Sequence, residues 1–257
     1  MAESTLGIDY NTLRREVGRF LAWSPEPGDW DADQTRACDD ILAAGYRSFL
    51  YPAVPGSIKR HTWSFLTPKA ILTTTANVGD YVLPDDVGAL IGSMTYESDD
   101  DAWQTVEITT LQVVRSLRQN NQDDYEGIPT KGALESLPPD ANGSTRLKLL
   151  LWPEPDDAYT LTYQYLAQPN NLSETNPRPY GNAQHANCLI AAVLAAAEER
   201  FNDNQNVKRM RFMDELAQAI AQDRVHAPNT LGYNGDNYER DQDRWCYRRG
   251  GTVTYTP

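Results

Sequence analysis

Only three cysteines, Cys38, Cys188 and Cys246, occur in the 257 residues. They are odd in number and far apart, which suggests a reducing compartment rather than a disulfide scaffold. No long apolar run is present. The longest, Cys188–Ala197, covers ten residues and ends at Glu198-Glu199, about half of the ~20 that a membrane-spanning helix needs. Met1-Ala2-Glu3-Ser4 has no basic start and no apolar stretch, so no secretory leader is expected. Positive charge is scarce too: 23 lysines and arginines stand against 36 carboxylates, a formal net charge of −13. Wrapping nucleic acid by neutralising phosphates needs a Lys/Arg surface, which this balance argues against. The three histidines, His61, His185 and His226, are scattered. None lies at metal-ligand spacing from another or from a cysteine. No C-x-x-C, H-E-x-x-H, P-loop or G-x-S-x-G occurs. The expectation is therefore no catalytic residue, no metal and no cofactor.

What remains is carboxylate, and its clusters read more simply as structure than as sites. Asp29, Asp31, Asp33 and Asp40 resemble the start of a calcium loop. However, Gln34 stands where an EF-hand needs glycine, and Asp40 where it needs a bidentate glutamate. Asp31 is better read as a helix cap, with Asp33 favouring the positive end of that helix. Asp99-Asp100-Asp101 and Asp123-Asp124 read as exposed loops, and Glu198-Glu199 as solvated residues ending an apolar helix.

The apolar content, 40% of residues, suffices for a sizeable core. Tyr10, Leu13, Val17, Phe20 and Leu21 recur at helical spacing, with Asp9 as N-cap and Pro25 and Pro27 beyond the end. Cys38, Ile41, Leu42, Gly45, Tyr46, Phe49 and Leu50 form a second stripe. It starts at Asp31 and Gln34 in capping-box spacing and is stopped by Pro52.

From about Trp63 to Pro169 the pattern changes to short runs rich in Val, Ile, Thr and Tyr. Strands are expected at Trp63–Leu66, Ala70–Thr74, Tyr81–Leu83, Ala89–Tyr96 and Val106–Thr109. A short helix containing Leu111, Val114, Leu117 and Arg118, capped by Thr110, precedes a polar loop at Gln119–Asp124. Arg146–Trp152 and Ala158–Leu166 alternate cleanly and are joined by Pro153-Glu154-Pro155-Asp156-Asp157, which predicts a β-hairpin.

Beyond the Pro/Asn-rich link at Pro169–Pro179, Ala186, Leu189, Ile190, Val193, Leu194, Ala197 and Phe201 make a strong helical stripe. After a polar turn, Phe212, Met213, Leu216, Ala217, Ile220 and Ala221 make another, giving an αα-hairpin.

The last 32 residues, from His226, show no stripe. Tyr233, Tyr238, Trp245, Tyr247 and Tyr255 are spaced among Gly, Asn, Asp and Arg. Residues 200–257 carry 9 basic and 8 acidic side chains, so the acidic excess lies in the body. Arg240, Arg244, Arg248 and Arg249 would allow stacking on single-stranded nucleic acid. Asp236, Glu239, Asp241 and Asp243 cancel most of that field, so docking on a protein through Trp, Tyr and Arg anchors is preferred. Thr252–Thr256 alternates and suits strand addition to a partner's sheet edge. The plainer reading is an unstructured terminus.

In this order, the parts resemble the head-to-tail adaptor (connector) proteins of tailed bacteriophages, including the tail tubular protein A type. The likeness rests on a second helix ending Ala44-Gly45-Tyr46-Arg47-Ser48-Phe49-Leu50-Tyr51-Pro52 and on a β-rich insertion closing with Leu149–Tyr163. An Ala-rich helix pair and a polar tail complete it, and it covers about Asp9 to Asp223. The resemblance implies an α+β fold: a helical bundle of two N-terminal and two C-terminal helices, an antiparallel β-rich insertion, and an extended C-terminal arm. The divisions expected are 1–60, 61–170, 171–225 and 226–257.

It further implies a non-enzymatic ring, commonly of twelve copies, beneath the portal protein at the virion neck, assembled in the host bacterial cytoplasm. The ring would be a platform for a downstream tail or nozzle protein and a channel for genome DNA. The arm would dock on the portal, with Tyr238, Arg240, Arg244, Trp245, Tyr247, Arg248, Arg249 and Tyr255 as its contacts. The competing reading is a carbohydrate-binding or hydrolytic module. Its cleft in the β insertion would be lined by Trp63, Trp103 and Trp152, with Asp99 or Asp101 as carboxylates.

Overall fold

The computed structural model describes residues 6–24, 26–53, 60–97, 104–120, 126–139, 146–181, 183–201 and 206–226. These form an α+β fold of five α-helices and a curled seven-stranded sheet.

Helix α1 (Tyr10–Phe20) begins where Asp9 accepts the Thr12 backbone N–H at 2.7 Å. Helix α2 (Ala32–Leu50) begins with the expected capping box. The Asp31 carboxylate takes the Gln34 N–H at 2.6 Å, and the Gln34 side chain takes the Asp31 N–H at 3.1 Å. The fourth and fifth helices, α4 (Ala186–Phe201) and α5 (Val207–His226), are antiparallel neighbours. All four contribute to one apolar core, with Leu13, Val17, Ile41, Phe49, Leu189, Val193 and Leu216 buried in it.

Helix α4 is buried nearly all round, because α1, α2 and α5 each pack on it. Its alanines permit that closeness. So does Gly45 on α2, where an added methyl would stand 2.6 Å from the Val193 Cα.

Strands β1 (Lys69–Thr73), β2 (Asp80–Val82), β3 (Val87–Tyr96), β4 (Thr105–Thr109), β5 (Lys131–Leu137), β6 (Arg146–Trp152) and β7 (Thr160–Ala167) are ordered β1-β7-β3-β4-β5-β6-β2. The curl turns Met94, Val106, Leu149, Leu151, Leu161 and Tyr163 into a second core. Helix α3 (Leu111–Asn120) covers another face of β5 and β6, burying Val114 against Ala133 and Leu150. Its first turn is anchored by the Thr110 carbonyl, which accepts from Val113 N–H at 3.0 Å.

Four expectations are corrected. Trp63–Leu66 is not a strand: Ser64–Leu66 is a 3₁₀ turn, and Trp63 and Leu66 are buried in the helical core. The expected hairpin does not form. β6 pairs with β5 and β2, whereas β7 pairs with β1 and β3, so Pro153–Asp157 crosses from one side of the curl to the other. The alternation of both strands holds, because Leu149 and Leu151 meet Leu161 and Tyr163 across the enclosed core rather than along a shared edge. The sheet is not wholly antiparallel, since β4 and β5 run parallel. Finally, β5 was not among the expected strands, yet it is paired on both sides. Within β3, Gly92 at φ +73° sits where the register with β7 shifts between Ile91 and Thr95, a conformation that favours glycine.

Candidate functional site

The densest polar constellation lies where the helices meet the sheet. Asp223, on the buried stripe of α5 three residues after Ile220, is 4% exposed. Its carboxylate accepts the Ser64 backbone N–H, at 3.3 and 3.2 Å to its two oxygens, and the Ser64 hydroxyl. His61 Nε2 lies 2.9 Å from its other oxygen. Asp223 thus caps the 3₁₀ turn that leads into β1, tying α5 to the entry of the sheet.

Beside it, the rings of Phe49, Trp63, Phe65 and His185 cluster with centroids 5.1–6.5 Å apart, Phe65 stacked on Phe49 and Trp63 and the other pairs tilted. His61 abuts Trp63 edge-on at 4.8 Å. Trp63 Nε1 donates to the Phe49 carbonyl at 2.8 Å, satisfying an orphan acceptor in the last turn of α2.

Serine, histidine and aspartate together suggest a triad, but the wiring is wrong for one. In a triad the histidine stands between the other two and takes the serine proton. Here Ser64 and His61 both address the carboxylate, so the hydroxyl proton is committed to Asp223. This is a tether between elements. The sequence signal for it was a carboxylate in an apolar helical register.

Glu198 is likewise corrected from the expected solvated residue. It is 5% exposed, and its carboxylate accepts the backbone N–H groups of Lys208 at 2.8 Å and Arg209 at 3.3 Å, capping the start of α5. Glu199 is exposed and pairs with Arg209 at 2.7 Å.

The other acids single out no site. Asp31 caps α2, Asp33 faces Arg36 at 3.4 Å, and Asp40 faces Arg200 at 2.9 Å. Among the described residues no group of three or more metal-binding side chains converges. Burial pushes the thiols of Cys38 and Cys188 up to about 12, so neither is a thiolate nucleophile at neutral pH.

On the sheet, Arg118 of α3 and Lys148 of β6 bind Asp80 at 2.8 and 3.0 Å, and Lys148 also binds Glu135 at 3.0 Å. Burial pushes the Asp80 carboxyl up, but the hydrogen bonds from Arg118 and Lys148 outweigh it and hold the group below its ordinary range. Glu135 is lowered first by its hydrogen bond with Lys148.

The cleft of the competing reading is not assembled by the tryptophans described. Trp63 is wholly buried in the helical core, and Trp152 is half-buried beside Val114. Trp103, Asp99 and Asp101 lie outside the described residues, as do Asp100, Asp123 and Asp124. The eight residues expected to contact a portal, Tyr238, Arg240, Arg244, Trp245, Tyr247, Arg248, Arg249 and Tyr255, also lie outside them, as does Cys246.

A surface feature that sequence reasoning missed is a groove of about 230 Å³ over α4. Its floor is Ala192, Ala195 and Ala196; Ser48 of α2 and Tyr51 just beyond it form one wall, Phe212 and Met213 of α5 the other, and the Glu199–Arg209 pair also lines it. Met210 stands 68% exposed beside it.

Among the described residues the buried carboxylates Glu198 and Asp223 serve as caps and tethers, and the open concavity over α4 is lined by alanine, phenylalanine and methionine together with the Glu199–Arg209 pair. The SU10 adaptor protein family matches residues 8–234, and the chain belongs to that family of phage head-to-tail adaptors, whose role is structural. No curated protein matches it. No helix among the described residues is long and apolar enough to cross a membrane.

Proposed function

We propose that the chain is a head-to-tail adaptor that assembles as a ring, commonly of twelve copies, under the portal protein. The family match over residues 8–234 carries this reading. The ring occupies the virion neck, is put together in the host cytoplasm, offers a platform to a downstream tail or nozzle protein, and lets genome DNA through its centre. Heterologous contacts between identical copies close into a ring when the rotation between them closes. The acidic body fits the channel: a wall rich in carboxylates repels phosphate, so a duplex slides rather than sticks.

The C-terminal arm, 226–257, is the portal-binding element in this reading, with Tyr238, Arg240, Arg244, Trp245, Tyr247, Arg248, Arg249 and Tyr255 as anchors. Its aromatic and arginine content is that of interface hot spots. Deleting Asp236–Pro257 leaves the body folded, as read by thermal unfolding, and abolishes co-sedimentation with portal rings. Full-affinity portal binding by the truncated chain overturns the arm assignment.

A further inference from the structure

The curled sheet has two ends, β1 and β2. Along β1, the Tyr165 N–H donates to the Pro68 carbonyl at 3.2 Å and the Thr74 N–H to the Tyr159 carbonyl at 2.8 Å. Even-numbered residues thus turn their backbone groups to β7, and Lys69, Ile71 and Thr73 turn theirs away from it. Among the described residues nothing takes those outward groups. An open edge is a template for another strand, and β1 has little that blocks one: no proline, no register shift and a single charge, Lys69. Ile71 is 62% exposed. On the inner face, Ala70 and Leu72 pack against the second core yet stay half-buried, whereas Leu149 and Leu161 within it are fully buried. The other end, β2, has only three residues, and its Asp80 is held by Arg118 and Lys148.

Thr252–Thr256 in the arm has the matching length and pattern. It is five residues, as β1 is, with Val253 and Tyr255 on one face and three threonines on the other. The tether also fits. Asp223 of α5 binds Ser64, and β1 begins five residues further on, so along this path the arm starts within about 30 Å of the strand. A free coil as long as the 25 residues 227–251 spans about 25–30 Å. A tether whose length matches its span gives the highest effective concentration, on the order of millimolar.

We propose that in the free subunit Thr252–Thr256 of the same chain pairs along the open edge of β1, with Val253 and Tyr255 turned inward over Ala70 and Leu72. Main-chain hydrogen bonds to Lys69, Ile71 and Thr73 hold the strand, and the two apolar side chains set its face. Tyr255 is then used twice, here and on the portal, and the two uses exclude each other. The arm is stored on its own body until a portal displaces it. The pairing is independent of the portal reading; the displacement rests on it.

Hydrogen exchange of the full chain, read by NMR at the amides of Lys69, Ile71 and Thr73, tests both. In the wild type these amides exchange slower by about tenfold or more than in a full-length Val253→Asp, Tyr255→Asp variant. Val253→Ile with Tyr255→Phe keeps the protection, and thermal unfolding checks that both variants fold. Dilution leaves the protection unchanged, and saturating portal rings remove it. Equal exchange in the wild type and the aspartate variant overturns the pairing. Protection lost on dilution overturns it too, because the strand then comes from a second copy. Protection that survives portal binding overturns the displacement. A chain that shows the protection but never binds portal overturns the portal reading and leaves the pairing standing.

Discussion

Asp223 shows how one side chain settles the relation between two parts of the molecule. It collects the Ser64 N–H, the Ser64 hydroxyl and His61 while almost fully buried. Removing it strands donors in a dry place, a loss of about 1–3 kcal/mol for each buried group left unsatisfied. Asp223→Ala is expected to lower the unfolding midpoint clearly in thermal denaturation. Ser64→Ala, which leaves the carboxylate its backbone N–H and its histidine, costs distinctly less. Equal losses would contradict the carboxylate's role as the hub. The helical register of Leu216 and Ile220 carries on to Asp223, a signal that the sequence analysis did not use. Its partners were not visible, because His61 and Ser64 are some 160 positions away and meet it only through the packing of α2, α4 and α5.

Elements with a local cause were legible. Both N-terminal helices start at the caps their sequences announce, and α4 and α5 follow their stripes. β6 and β7 were located by alternation, yet their pairing was not. Alternation fixes which residues face inward but not which strand lies alongside, and here the inward faces meet across the enclosed core. β5 was missed because Lys-Gly-Ala-Leu-Glu-Ser-Leu has little β-branching. Pairing on both flanks, not propensity, makes it a strand.

The charged clamp between α3 and this sheet predicts an acid response. Asp80 and Glu135 are held below their ordinary values in the fold, so their stabilisation is full above the unfolded-state value, near about 4 for carboxylates. It is lost as pH falls through the folded value. Both groups are substantially solvent-accessible, which keeps the effect small. Lys148→Met is expected to flatten the fall in melting temperature on acidification, and an unchanged slope would contradict the assignment.

At the scale of the whole molecule, the order of parts resembled the phage head-to-tail adaptors, and the family match agrees. The groove over α4 escaped because concavity depends on how far α2 and α5 splay over the alanines between them, which no stripe records. The uneven charge was legible as a count, but which charges meet, as Arg209 meets Glu199 and Arg200 meets Asp40, needed the fold.

Cryo-electron microscopy of the full chain mixed with its portal protein is the most direct measurement. The account predicts a closed ring of this chain seated coaxially on the portal, with an open central channel and the C-terminal arm reaching onto the portal surface. Portal rings that stay bare at saturating concentrations of the folded chain would contradict it.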